Sequence, residues 1–273
     1  MIIDGRALAQ EVLARTKARA AALGRPPRIL VVVANDTPAT RSYLAIKKAR
    51  AADAGCVLDE LALDADTATT EELRTAVLAA EADVVVVQLP LRDRMDARIV
   101  CDAIPLSKDA DVLSTVARMK FEAAEYDALI PPVASAVMKI LAAGGVDPEG
   151  KKAVVIGTGW LVGKPCATAL AHGGADVSRL TLESGTIAGL KEADIVVSGA
   201  GSPHFITLGM LKDGVVLIDA GTSESNGMIA GDADPACADR CTLFTPVPGG
   251  VGPLAVACLF ENAVTLAERA IHT

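Results

Sequence analysis

Tyr43 and Lys47 lie four residues apart, the separation that puts two side chains on one face of a helix. A helix is expected there because Thr37-Pro38 supplies an N-cap hydroxyl followed by a proline at the first helical position, where its missing N–H costs nothing. An aromatic ring one turn from an amine can stack on a flat substrate while the amine moves a proton. A lysine stem laid over a packed tyrosine is the commoner use of the same pair. Gln88-Leu89-Pro90 closes the apolar run Val84-Val85-Val86-Val87, and ligands of α/β sheets bind beyond the carboxyl ends of strands. Asp111, in Lys108-Asp109-Ala110-Asp111, falls in a polar stretch between two regular regions, where clefts form. Gln88 and Asp111 could each serve instead as loop hydrogen-bonders.

A second set of residues suits a phosphate. Val154-Val155-Ile156-Gly157-Thr158-Gly159-Trp160-Leu161-Val162-Gly163-Lys164-Pro165 reads as a buried strand, a glycine turn and a helix start. Gly157 permits the tight turn, Gly159 allows close backbone approach to a pyrophosphate, and the following helix presents free N–H groups and its positive dipole end. The GxGxxxG spacing is one residue longer than the usual dinucleotide fingerprint. Glu183 and Ser184 end the next strand, Glu183 lying about 20 residues beyond Gly163. A carboxylate there accepts hydrogen bonds from the adenosine ribose hydroxyls and repels a 2′-phosphate, which favours NAD over NADP; a solvated surface carboxylate is the other reading. Thr245–Pro253 consists, Thr245 and the valines apart, of proline and glycine, a stiff segment with little bulk that suits close approach to a flat ligand.

These residues need elements to hold them. Periodicity predicts helices over about 5–23, 38–54, 70–80, 97–103, 133–143, 161–172, 186–193 and 254–271, and strands over about 28–34, 57–63, 84–88, 153–157, 177–182, 195–198, 215–220 and 242–244. Such alternation implies parallel sheets with helices on both faces. It is interrupted by a polar, irregular stretch between Ile104 and Pro132, so two sheets are expected, with a domain change in that stretch and a dinucleotide-binding βαβ unit after it.

Composition excludes several functions. Hydrophobic residues make up 51% and aromatic residues 3%, which calls for an aliphatic core and rules out disorder. The net charge of −8 offers no basic field to a nucleic acid. The apolar runs Ile29–Ala34, Val84–Val87 and Ala255–Phe260 stop short of the ~18 residues that span a bilayer, and Met1–Arg6 lacks a signal-peptide pattern, so no membrane partner and a cytoplasmic location are expected. The six cysteines include no CxxC pair and read as reduced core thiols. No histidine lies near Cys237 and Cys241, so no metal site is expected.

Taken together, these segments resemble the methylenetetrahydrofolate dehydrogenase/cyclohydrolase family. Tyr43-x-x-x-Lys47, Gln88-Leu89-Pro90, Lys108-Asp109-x-Asp111, the GxGxxxGxP loop from Gly157 and the Thr245–Pro253 stretch occur in that order through nearly the whole chain, the last being the most specific. The resemblance implies an N-terminal α/β catalytic domain of residues 1–120 plus 253–273, to which the last helix returns, a C-terminal Rossmann domain of residues 121–252, and a homodimer. It implies that 5,10-methylenetetrahydrofolate gives a hydride to NAD or NADP and that the methenyl product is hydrolysed to 10-formyltetrahydrofolate. Lys47 would be the catalytic lysine, Tyr43 the ring stacked on the folate, Gln88 the partner tuning the lysine and Asp111 the pterin anchor, with Leu89, Pro90, Gly249, Gly250 and Pro253 also at the substrate. Gly157, Thr158, Gly159, Trp160, Leu161, Val162, Gly163, Glu183, Ser184 and Thr222 would hold the dinucleotide. A lysine carries protons near neutral pH only where desolvation or a nearby cation lowers its pKa. Hydride transfer needs only alignment of the donor and acceptor carbons.

Several positions depart from the family's pattern. Gly159 stands where a serine is usual and Val112 where a glycine follows the second aspartate. Pro131-Pro132-Val133-Ala134 replaces Pro-Cys-Thr-Pro, Ala255 replaces a threonine, and Glu183 replaces the histidine common before Ser184. These changes remove polar groups around cofactor and folate while keeping Tyr43, Lys47, Gln88 and Asp111, which implies retained folate chemistry with an altered cofactor preference; neutral drift in one lineage is the other reading. Val112 and Val133 bear on the water that hydrolysis requires. The competing readings are a dehydrogenase without hydrolysis and a non-catalytic nucleotide- or folate-binding regulator; the intact Tyr43/Lys47 pair argues against the regulator.

Overall fold

The structure is a computed structural model that describes residues 1–182, 187–225 and 228–271. The chain divides into two compact units, Gln10–Pro132 with Val256–Thr273, and Met1–Ala9 with Val133–Ala255. Helix α1 (Gly5–Ala21) contributes to both. Met1–Ala9, expected with the N-terminal domain, instead joins the later unit, because Ile3 N donates to Phe244 O at 2.9 Å and Phe244 N to Met1 O at 2.9 Å.

In the Gln10–Pro132 unit, β1 (Arg28–Val33), α2 (Pro38–Asp53), β2 (Val57–Ala62), α3 (Thr70–Leu78), β3 (Val84–Val87), α4 (Ala97–Asp102) and α5 (Thr115–Glu122) follow in order. The strands form a parallel sheet, β2-β1-β3, with Val32 opposite Val87. Every residue of β3 is buried valine, as a strand covered on both faces requires. The helices start on caps legible in the sequence. Thr69 and Glu72 form a reciprocal capping box on α3, and Asp96 caps α4. Helix α5 lies where an irregular stretch was expected; Ser114 caps it, and Ala117 and Phe121 are its buried residues.

The other unit holds α6 (Pro132–Ala143), β4 (Lys152–Ile156), α7 (Gly163–His172), β5 (Asp176–Leu180), β6 (Ile195–Ser198), β7 (Val215–Asp219), the hairpin β8 (Ser223–Ser225) and β9 (Met228–Ala230), and β10 (Cys241–Phe244). Its five-stranded sheet is parallel, in the order β10-β7-β6-β4-β5. The helix expected over 186–193 is a 3-10 run, Ile187–Glu192, and the hairpin was not anticipated. Helix α8 (Val251–Ile271) starts before the expected residue 254. Among the described residues it alone is long and apolar enough, by length and composition, to cross a membrane, a feature that the interrupted apolar runs concealed. Its Leu254, Ala257, Phe260, Ala263 and Val264 are core residues, and Asn262 Nδ2 donates to Ala110 O and Ile130 O, both at 2.9 Å.

Candidate active site

Lys47 stands on α2, one turn after Tyr43. The helix begins as its sequence requires: Thr37 Oγ1 accepts from Thr40 N at 3.2 Å, with Pro38 in the first turn. Lys47 Nζ donates to Gln88 Oε1 at 2.9 Å. Gln88, at the carboxyl end of β3, is 5% exposed, and its Nε2 donates to Leu89 O at 2.8 Å. The second bond fixes the amide, so that its oxygen is turned to the lysine.

Burial lowers the Lys47 pKa, and the charge of Asp111 works against that shift. Burial likewise raises the Asp111 pKa, opposed by Lys47. Amine and carboxyl are therefore both pushed toward their neutral forms in one electrostatic neighbourhood, where a proton can move at little cost. The structure thus brings together Lys47, Gln88 and Asp111, which the sequence separates widely.

Three further residues shape this site. Asp109 is buried, and its carboxylate accepts from Leu113 N at 2.9 Å and Ser114 N at 2.8 Å, closing the turn that carries Asp111. Val112, inside that turn, has φ 56°, a left-handed conformation that a β-branched residue adopts under strain. Asn35, just beyond β1, donates from Nδ2 to Pro90 O at 3.0 Å. Its Oδ1 is the one buried side-chain polar atom without a partner among the described residues. Sequence reasoning passed over Asn35; the signal was an amide at the end of an apolar strand.

In the other unit the sheet order changes direction between β4 and β6, since the chain passes from β4 to β5 on one side and then to β6 on the other. Such a switch point is where open α/β sheets bind ligands. Gly157 has φ 106°, and a Cβ on it would lie 2.7 Å from Gly199 O; a Cβ on Gly163 would lie 2.1 Å from Gly157 O. Both positions exclude any side chain. Gly159 does not share that constraint, because nothing lies within 4 Å of where its Cβ would be. Thr158, Gly159 and Leu161 are exposed, Trp160 and Val162 half-buried, and α7 starts at Gly163 rather than at Leu161. Open space beside the first turn of α7, floored by glycines, fits a pyrophosphate. Thr222 is exposed after Gly221, whereas Glu183 and Ser184 lie outside the described residues.

The Thr245–Pro253 stretch belongs to the same unit. Gly249 has φ 115°, and a Cβ on Gly5 would lie 1.8 Å from Gly250 O. Thr245 is buried, its Oγ1 accepting from Asp219 N at 2.7 Å. Asp219 and Asp232, both buried, are the other residues that sequence reasoning missed. Burial, with the Asp232 charge contributing, pushes the Asp219 carboxyl up to about 6. Burial also pushes the thiols of Cys56, Cys101 and Cys166 up to about 12, and none of the six cysteines is in a disulfide.

Comparison with known proteins covers both units. The catalytic domain of tetrahydrofolate dehydrogenase/cyclohydrolase matches residues 3–111, and the NAD(P)-binding domain of the same family matches residues 131–271. The bifunctional protein FolD of Leuconostoc citreum (strain KM20) is 37% identical, covering 98% of each chain. That of Azoarcus sp. (strain BH72) is 38% identical over 98% of this chain and 96% of its own. Among solved structures, the bifunctional FolD methylenetetrahydrofolate dehydrogenase/cyclohydrolase from Campylobacter jejuni superposes with a TM-score of 0.94 at 30% identity, covering 99% of both chains. The Trypanosoma brucei FolD complexed with NADP cofactor and inhibitor gives 0.94 at 32% identity, covering 100% of this chain and 99% of its own. With matches this extensive in sequence and in fold, the chain belongs to the tetrahydrofolate dehydrogenase/cyclohydrolase family.

Proposed function

We propose that this protein oxidises 5,10-methylenetetrahydrofolate to the 5,10-methenyl form with a nicotinamide dinucleotide and hydrolyses that product to 10-formyltetrahydrofolate. The observation that carries the reading is the Lys47 Nζ to Gln88 Oε1 bond of 2.9 Å, made by an amine whose pKa is held down by burial. Folate chemistry is assigned to the Gln10–Pro132 unit and dinucleotide binding to the unit containing Val133–Ala255. Tyr43 stacks on the folate, Asp111 anchors its pterin, and Leu89, Pro90, Gly249, Gly250 and Pro253 border the substrate. In hydrolysis, water adds to the bridging methenyl carbon and gives a proton to the neutral Lys47 amine; the bond from that carbon to N5 then breaks, N5 takes up a proton, and the carbinol oxygen loses its own to become the formyl carbonyl. The Gln88 oxygen holds that amine in place.

The Gly157–Gly163 loop, with Thr158, Gly159, Trp160, Leu161, Val162 and Thr222, would hold the dinucleotide, which supplies the hydride acceptor when bound. Glu183 beside Ser184 favours NAD over NADP, because a carboxylate there repels a 2′-phosphate. A cytoplasmic homodimer completes the proposal, and the mostly buried cysteines, none of them in a disulfide, suit a reducing compartment.

The test is a pair of assays on the purified protein. Folate-dependent reduction of a dinucleotide, faster with NAD than with NADP, is the expected result; reduction of neither overturns the enzyme reading, and a clear preference for NADP overturns the argument from Glu183. Decay of methenyl-folate should exceed the spontaneous rate. Decay at the background rate would leave a dehydrogenase alone, the second reading favoured by the strained Val112 beside Asp111.

A further inference from the structure

Asp232 has no part in the chemistry described above, yet it is 0% exposed. Its Oδ2 accepts from Ser198 Oγ and from Ala200 N, both at 2.7 Å, and its Oδ1 accepts from Ser202 N at 2.8 Å. All these donors belong to one segment, the turn that leaves the carboxyl end of β6. A carboxylate is retained in a dry interior only where its oxygens are filled by donors, and here a single turn supplies them.

The segment that carries Asp232 is anchored independently of its side chain. His204 N donates to Gly231 O at 3.0 Å and Ile206 N to Asp232 O at 2.9 Å. Asp219 adds to this, accepting from Gly221 N through Oδ1 and from Ala233 N through Oδ2, both at 2.8 Å. The Asp232 carboxylate is therefore not needed to hold its own segment. What it adds is the course of the 198–202 main chain.

That turn lies against the glycine loop. The Cβ position of Gly157 is 2.7 Å from Gly199 O, and that of Gly199 is 2.4 Å from Val162 Cγ1. The turns after β4 and β6 are thus the two walls of the switch-point crevice. We propose that Asp232 is a positioning residue for the dinucleotide, fixing the 198–202 turn as the wall opposite the Gly157 loop and so setting how tightly the cofactor is held.

This inference rests on the dehydrogenase reading, and direct binding separates the two. Trp160, the only tryptophan in the chain, sits in the glycine loop, and its fluorescence can be titrated with NAD and NADP. Asp232→Asn should weaken binding of the preferred dinucleotide about tenfold, because the asparagine NH2 meets a donor that the carboxylate accepted. The KM for that dinucleotide should rise in parallel while the KM for methylene-folate stays within about twofold. Ser198→Ala, which removes a single donor, should weaken binding about threefold with normal expression and folding. Binding by Asp232→Asn within about twofold of wild type, or an equal rise in both KM values, overturns the proposal. Should Asp232→Asn prove insoluble, unchanged binding by Ser198→Ala overturns it. A wild-type protein that binds neither dinucleotide defeats the dehydrogenase reading together with this inference, whereas equal binding by wild type and variants defeats this inference alone.

Discussion

In the proposed mechanism Lys47 acts as a free base, and burial shifts its pKa in that direction. Hydrolysis should therefore rise as pH increases and level off at an apparent pKa below the ordinary lysine value near 10.4. A pH–rate profile with no such limb would remove the lysine from the proton path. Lys47→Met should reduce hydrolysis to background while leaving folate binding measurable by equilibrium titration. Val112 poses a balance of two terms. Its left-handed backbone costs about 1–3 kcal/mol, whereas burying its side chain returns about 1.5–3 kcal/mol. Val112→Gly relieves the first and loses the second, so urea unfolding should shift by no more than about 2 kcal/mol in either direction. Lys47 and Gln88 were legible in the sequence because one sits a helical turn from Tyr43 and the other ends a valine strand. Asn35, Asp219 and Asp232 were not, since their partners come from distant segments that no local pattern announces. Asp232, in Gly231-Asp232-Ala233-Asp234-Pro235, reads as an ordinary turn residue.

At the scale of elements, the glycine loop divides into positions that tolerate a side chain and positions that do not. Gly163→Ala sets a methyl 2.1 Å from Gly157 O, a contact that must move either α7 or the loop. It should abolish dinucleotide binding and destabilise the protein by about 2 kcal/mol or more. Gly159→Ser enters open space and should change stability by less than about 1 kcal/mol, the cost of an ordinary surface change. Thermal unfolding of the two variants side by side checks both, and equal losses would contradict the geometry. The parallel strands were readable because valine and isoleucine runs fit sheets covered on both faces. Helix α5 was hidden because it buries so little, Ala117 and Phe121, within a polar stretch. Strands β8 and β9 are three residues each, too short for alternation to appear.

For the whole molecule, Asp219 links protonation to stability. Its carboxyl is raised to about 6 in the folded protein against about 3.9 unfolded. The folded state therefore binds the proton more tightly, and the stability this confers is full below about pH 4 and lost as pH rises through about 6. The contribution is on the order of 2–3 kcal/mol. Asp219→Asn should flatten the pH dependence of urea unfolding between about pH 4 and 7, and an unchanged slope would show that Asp219 does not titrate there. The division into two α/β units was legible from the interrupted alternation, and the return of the last helix was expected from the family resemblance, but the crossing of the first residues was not. Met1–Ala9 joins the unit of Val133–Ala255, and Val256–Thr273 joins that of Gln10–Pro132. On the ribosome, then, Gln10–Pro132 emerges well before the helix that completes it: the Ala110 and Ile130 carbonyls wait for Asn262, which is made only after the whole of Val133–Ala255. A chain stopped before α8 leaves those two carbonyls without the Asn262 amide and the unit without its last helix, so truncation there should cost folding of the first unit made and not only of the end of the chain.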